Sequence, residues 1–188
     1  DTIRRWFTAS PLTRVSWRAD EREKVHILFS KGPVVANFHP LQVTLPPAAF
    51  LQPTQEGESA LVNAVLAAVP ERGKFADLFS GCGTFTGPLL ARGEVDAYES
   101  SFPAIKALTQ SARGLPLQAF RRDLFTHPLR REEINRYDAV VFDPPRAGCR
   151  EPIALEATVP HGTAHVDAQL TPHIHVLPTH CITTLPMF

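Results

Sequence analysis

The sequence predicts an α/β fold in which helices wind around a parallel sheet, preceded by a small mixed β lobe. Three observations predict it. The stretch Phe75–Gly87 reads as a short buried strand, a glycine turn and the start of a helix. From Phe75 to Asp143, apolar runs of strand length alternate with segments of helical spacing. Four of those runs each end on or beside an acidic residue: Asp77, Glu99, Asp123 and Asp143.

The lobe, residues 1–48, carries Arg4, Arg5, Arg14, Arg18, Arg22 and Lys24. It contains β-like runs at Val25–Phe29, Val34–Asn37 and Gln42–Leu45, with Lys31-Gly32-Pro33 as a turn signal. The arginines suit either a solvated basic face or a surface that tracks a phosphate backbone. Pro46–Thr54 reads as a linker, and 49–150 as the main domain. A helix is expected from about Thr54 to Val69, with Glu56 and Glu58 in its first turn, where acids suit the helix dipole.

After the strand Phe75–Phe79, a helix carrying Phe85, Leu89, Leu90 and Ala91 is expected to end at Gly93. Val95–Glu99 is a second strand. Ser101 caps the next helix, with Pro103 in its first turn and Ile105, Ala107, Leu108 and Ala112 on its apolar side. Leu117–Phe120 is a third strand. Ala139–Asp143 is a fourth, apolar throughout as a strand buried on both faces should be.

Gly81 and Gly83 permit positive φ and let a ligand approach the main chain. A dinucleotide fingerprint needs a third glycine at the position of Thr86, and Gly87 falls one residue late. Asp77 disfavours a phosphate and suits an ammonium group or a ribose. The pattern Asp-x-x-x-Gly-x-Gly therefore fits S-adenosylmethionine, against the alternative of a tight turn with no ligand. Ligands of parallel sheets bind beyond the carboxyl ends of the strands. There Glu99 is placed to take ribose hydroxyls and Asp123 to meet the adenine amino group. The two prolines of Asp143-Pro144-Pro145-Arg146 stiffen the backbone that holds Asp143, and Arg146 is a candidate for substrate phosphate or base.

Phe50-Leu51-Gln52, Asp77–Phe85, Glu99, Asp123 and Asp143–Gly148 together resemble the class I RNA 5-methyluridine methyltransferases over roughly residues 20–150. The resemblance implies a Rossmann-like class I methyltransferase sheet. It implies that Gln52, Phe79, Thr84, Glu99, Asp123 and Asp143 line an S-adenosylmethionine site, to which the loop reading adds Asp77, Gly81 and Gly83. It further implies action on uracil C5 of tRNA or ribosomal RNA: a cysteine thiolate adds to C6, C5 takes the methyl group, and a base removes the C5 proton. The chain departs from that pattern. The family's Ser-Cys-Asn-Pro-type nucleophile string and its C-terminal glutamate base are absent, as are the N-terminal barrel and iron–sulfur cysteines of some members. Cys82 reads as a packed small residue within the cofactor loop. Cys149 and Cys181 lack the nucleophile's motif.

Composition changes after Arg150. All 19 Lys and Arg lie at or before it, with 16 of the 19 acids, so residues 1–150 carry +3 and 151–188 carry −3. The tail is rich in Pro, Thr and His, and is expected to be poorly ordered and not the family's C-terminal half, through an altered frame or a truncated copy. Without the family's later strands, Ala139–Asp143 is expected at an open edge, with Val159–Leu177 as a makeshift cover whose prolines and histidines weigh against a well-formed strand. His173-x-His175 is read as compositional bias, and no metal site is expected. Three unpaired cysteines and no apolar run near the roughly 18 residues of a membrane span fit a reducing cytoplasm. Impaired methyl transfer to RNA is thus the first reading; a non-catalytic RNA-binding remnant and an N-methyltransferase on another substrate are the alternatives.

Overall fold

The computed structural model describes residues 2–20, 23–144 and, as backbone, 175–178. Its N-terminal lobe opens with two elements that the apolar pattern does not announce, helix α1 (Thr2–Ala9) and strand β1 (Arg14–Trp17). Strand β1 pairs antiparallel with β2 (His26–Ser30), and α1 lies against this ribbon through the Phe7 ring stacked on Phe29 at 5.3 Å. Lys31-Gly32-Pro33 therefore leads out of one ribbon into another, because β3 (Val35–Phe38) pairs with β4 (Leu41–Thr44) and not with β2. The Arg14 guanidinium ties the two ribbons together by donating to the Leu45 and Pro46 carbonyls, at 2.9 Å each.

The helix α2 (Gln55–Ala68) starts at the expected place for a visible reason: the Thr54 hydroxyl accepts from the Gly57 N–H at 3.0 Å. There follow β5 (Gly73–Leu78), α3 (Thr86–Leu90), β6 (Gly93–Glu99), α4 (Phe102–Ser111), β7 (Leu117–Arg121), α5 (Arg131–Ile134), β8 (Ala139–Phe142) and β9 (His175–Pro178). The sheet order is β7-β6-β5-β8-β9, with the first four strands parallel.

Alternation along the strands divides the interior. Phe75, Val95, Ala97, Ala139 and Val141 face one core with Leu61 and Val65 of α2, Leu89 of α3, Leu108 of α4, and Phe38, Leu41 and Val43 of the β3–β4 hairpin. Ala76, Leu78, Tyr98 and Val140 face a smaller core closed by Leu124, Leu129, Ile134 and Tyr137. Three helices and a hairpin thus cover one face, while the other rests on α5 and the loop before it. That loop is clamped by Arg122. Its guanidinium donates to the Glu133 carboxylate at 2.6 and 3.0 Å and to the His127 and Pro128 carbonyls at 2.7 and 2.6 Å. Arg122 and the Arg130 N–H hold Glu133 down at about 2, so the clamp stays intact above the usual carboxylate range and is lost only as pH falls toward that value. Arg122→Ala should cost about 1.5–3 kcal/mol, the range for hydrogen bonds to charged groups. Faster amide exchange in 123–130 with an unchanged β5–β6 core is the expected signature, and unchanged exchange there would refute the clamp.

Two expectations need correction. Gly93 does not end a helix: α3 closes at Leu90, and Gly93 opens β6, where a Cβ would collide with the Gly73 carbonyl of the neighbouring strand. The outer edge of β8 is not open either. His175–Pro178 pairs antiparallel with it, in the register Phe142↔His175 to Ala139↔Pro178. An extended segment in that place pairs the N–H and C=O groups of a buried strand, and Pro178, which lacks a donor, sits at the strand's end. Arg146, Cys149, Cys181 and the tail other than 175–178 lie outside the described residues.

Candidate functional site

At the carboxyl ends of β5 and β6 the chain forms a cleft of about 310 Å³. One wall is the segment leading to α2, with Pro46, Pro47, Phe50 and Gln52. The floor is the turn after β5, with Phe79, Ser80, Gly81, Cys82, Thr84 and Phe85. Glu99 from β6, the start of α4 at Ser101–Ala104, and Asp143 beyond β8 close the remaining sides.

The turn has the conformation its glycines predict. Gly81 has φ +54° and Gly83 φ +103°, and beside Gly83 a Cβ would approach Leu108 Cδ2 at 2.9 Å and Leu41 Cδ2 at 3.0 Å. Phe79 also has positive φ, +61°, which costs a residue with a side chain about 1–2 kcal/mol. Its ring is held by Phe125 at 5.1 Å and, edge-on, by Phe142 at 5.4 Å. Such strain concentrates where a site fixes the backbone for a purpose.

Glu99 is oriented by three hydrogen bonds. One carboxylate oxygen accepts from the Gly81 N–H at 3.1 Å, and the other from the Ser101 N–H at 2.7 Å and the Ser100 hydroxyl at 3.1 Å. The acid at the end of β6 is thereby locked to the glycine turn of β5, with a lone pair of Oε2 left for a ligand. Asp77 differs. It is completely buried, with Oδ2 accepting from the Thr86 hydroxyl at 2.5 Å and Oδ1 without a hydrogen-bond partner among the described residues. Burial outweighs the Thr86 hydrogen bond and, with the negative charges of Asp143 and Glu99, pushes its carboxyl up to about 7. Asp96, the other buried acid, instead has Lys74 at 3.4 Å and the Tyr137 hydroxyl at 2.9 Å. Burial first, then Glu99, pushes the Cys82 thiol up to about 11, which leaves it protonated and inert at neutral pH.

Among the described residues the lining of the cleft includes the carboxyls of Glu99 and Asp143 and no Lys or Arg. The chain is 43% identical to an uncharacterised RNA methyltransferase of Mesorhizobium japonicum over 129 residues, 66% of this chain and 31% of that protein. It is similar to RNA methyltransferases. An uncharacterised RNA methyltransferase of Brucella melitensis is 39% identical over 155 residues, 80% of this chain and 37% of its own length. The chain thus spans about a third of the length of the curated relatives it matches. No family model matches. Among solved structures, tRNA (uracil-54, C5)-methyltransferase of Pyrococcus abyssi, in complex with S-adenosyl-L-homocysteine, superposes with a TM-score of 0.53 over 72% of this chain and 42% of that one. At 17% identity that likeness establishes the fold alone, the expected class I methyltransferase-like sheet.

Of the residues expected to line the site, Gln52, Phe79, Gly81, Thr84, Glu99 and Asp143 come together in the cleft. Asp77 lies beneath its floor, and Gly83 packs against the core. Asp123 is not among the lining residues; its Oδ1 accepts from the Phe125 N–H at 3.0 Å in the turn after β7. Arg146 lies outside the described residues. The sequence reading missed the wall at Pro46 and Pro47 and the contribution of Ser101 and Pro103. A signal for the latter was present: whatever directly follows a strand-end acid shares that acid's end of the sheet.

Proposed function

We propose that the cleft binds S-adenosylmethionine and that the chain serves methyl transfer to uracil C5 of tRNA or ribosomal RNA in the cytoplasm. The observation that carries this reading is the convergence of Gln52, Phe79, Gly81, Thr84, Glu99 and Asp143 on one cleft at the carboxyl ends of β5 and β6. S-Adenosylmethionine supplies an electrophilic methyl group on a sulfonium centre. Glu99, fixed by the Gly81 and Ser101 amides, is assigned to the ribose hydroxyls, and Gln52 to the opposite wall. The carboxylates Glu99 and Asp143 favour a ligand whose sulfonium and ammonium charges exceed its single carboxylate. Arg146 is assigned to the RNA.

Turnover by this chain alone is proposed to be low. The thiolate that attacks C6 cannot come from Cys82, which is buried and protonated, and neither Cys149 nor Cys181 sits in the family's nucleophile motif. Calorimetry with S-adenosylmethionine tests the cofactor reading, which fails if no binding heat appears. Glu99→Ala should weaken that binding at least tenfold, a loss of about 1.5–3 kcal/mol for a charge-assisted contact. Nucleoside analysis of tRNA and ribosomal RNA incubated with chain and cofactor should find no more than traces of 5-methyluridine. Multiple turnovers would overturn the impairment.

A further inference from the structure

The carboxyl of Asp77 and the hydroxyl of Thr86 meet at the two ends of the turn that floors the cleft. Both residues are completely buried, and the bond between them spans nine positions of chain. The segment it closes supplies Phe79, Ser80, Gly81, Cys82, Thr84 and Phe85 to the cleft. Inside the segment the Gly83 N–H donates to the Ser80 carbonyl at 2.9 Å, and the Gly87 N–H to the Gly83 carbonyl at 3.0 Å. Its outer face is tied to Glu99 through the Gly81 N–H. Asp77 itself stands in register between Ala97 of β6 and Val141 of β8, in the middle of the sheet, completely buried and not among the described residues that line the cleft.

We infer that Asp77 is a positioning residue and not a ligand contact: it clasps Thr86, holds the Phe79–Phe85 turn in its ligand-ready shape, and couples cofactor binding to its own ionisation. The inference rests on the proposed cofactor reading of the cleft. Among the described residues the charged groups acting on Asp77 are Asp143 beyond β8 and Glu99 at the end of β6, both negative, while α3 contributes the neutral Thr86. The carboxyl accordingly keeps its proton up to about pH 7 in the unliganded chain. A ligand of net positive charge above it stabilises the carboxylate, so binding expels the proton and strengthens as pH rises.

The test measures S-adenosylmethionine binding by calorimetry at pH 6 and pH 8, in buffers of different protonation enthalpy. The wild-type chain should release a proton on binding and gain about tenfold in affinity between the two pH values. Asp77→Asn preserves shape and an acceptor for Thr86 but cannot ionise, and should show no pH slope. Thr86→Val should bind about tenfold more weakly at pH 8, and Thr86→Ser should recover the loss. Amide exchange of the unliganded variants reads the clasp without cofactor: Gly81, Gly83 and Gly87 should exchange faster in Thr86→Val than in the wild type or Thr86→Ser. A pH slope retained in Asp77→Asn overturns the coupling. Wild-type protection of the three glycines in Thr86→Val overturns the clasp. If the wild-type chain binds no cofactor at either pH, the proposed function and the coupling built on it fall, and amide exchange alone decides the clasp. Should Thr86→Val not fold, the pH slope of Asp77→Asn still decides the coupling.

Discussion

Asp77→Asn is expected to be more stable than the wild-type chain at pH 8 and to converge with it near pH 4. The folded carboxyl holds its proton to about pH 7, while a carboxyl in the unfolded chain loses it near the usual value of 3.8. Between those values the folded state binds the extra proton, so stability falls as pH rises, and above about pH 7 the full cost is in place. At 1.36 kcal/mol per unit the cost reaches about 4 kcal/mol as an upper figure, a large share of the roughly 5–15 kcal/mol that holds a typical domain together. Asparagine keeps an acceptor for Thr86 and pays no ionisation cost. Urea midpoints at pH 4 and pH 8 measure the difference. Parallel pH profiles for the two chains would show that Asp77 carries no such burden.

Gly87→Ala is the second large effect, an expected loss of about 3 kcal/mol or more. A Cβ at that position would run into the carbonyl oxygen of Phe38 and stand 2.6 Å from its Cβ. The obstacle is largely backbone, and Phe38 is itself buried in the core that α3 shares with the β3–β4 hairpin. Neither helix nor hairpin can yield without opening that core. Gly81→Ala is the control: nothing lies within 4 Å of its added Cβ, so only the left-handed backbone at φ +54° is strained, at about 1–2 kcal/mol. Thermal or urea unfolding of the two variants should separate them clearly, and equal losses would remove the hairpin contact as the reason for Gly87.

Helices with local instructions were legible. α2 has its cap at Thr54, and α4 has Ser101 accepting from the Ala104 N–H and Pro103 in the first turn. Strand β8 was legible because burial on both faces demands a continuous apolar run, and Ala139–Phe142 supplies one. α1 and β1 were not. Arg4, Arg5, Arg14 and Ser16 break up their apolar signal, and they form by packing Phe7 on Phe29 and by pairing with β2, partners remote in sequence. The roles of Gly87 and Gly93 were equally hidden, since each is set by a foreign carbonyl: Phe38 for one, Gly73 for the other.

By itself the sequence determined that acids would stand at the ends of successive parallel strands around a glycine turn, because strand period, helix caps and turn chemistry are local properties. It could not rank those acids. Asp77, Glu99 and Asp123 look alike as the terminal carboxylates of apolar runs. Only the tertiary structure puts Glu99 in the cleft against the Gly81 amide, turns Asp123 into its own loop, and seals Asp77 under the turn with Thr86. What a carboxylate does depends on the water, charge and donors around it, and those are supplied by segments that the chain brings together only when it folds.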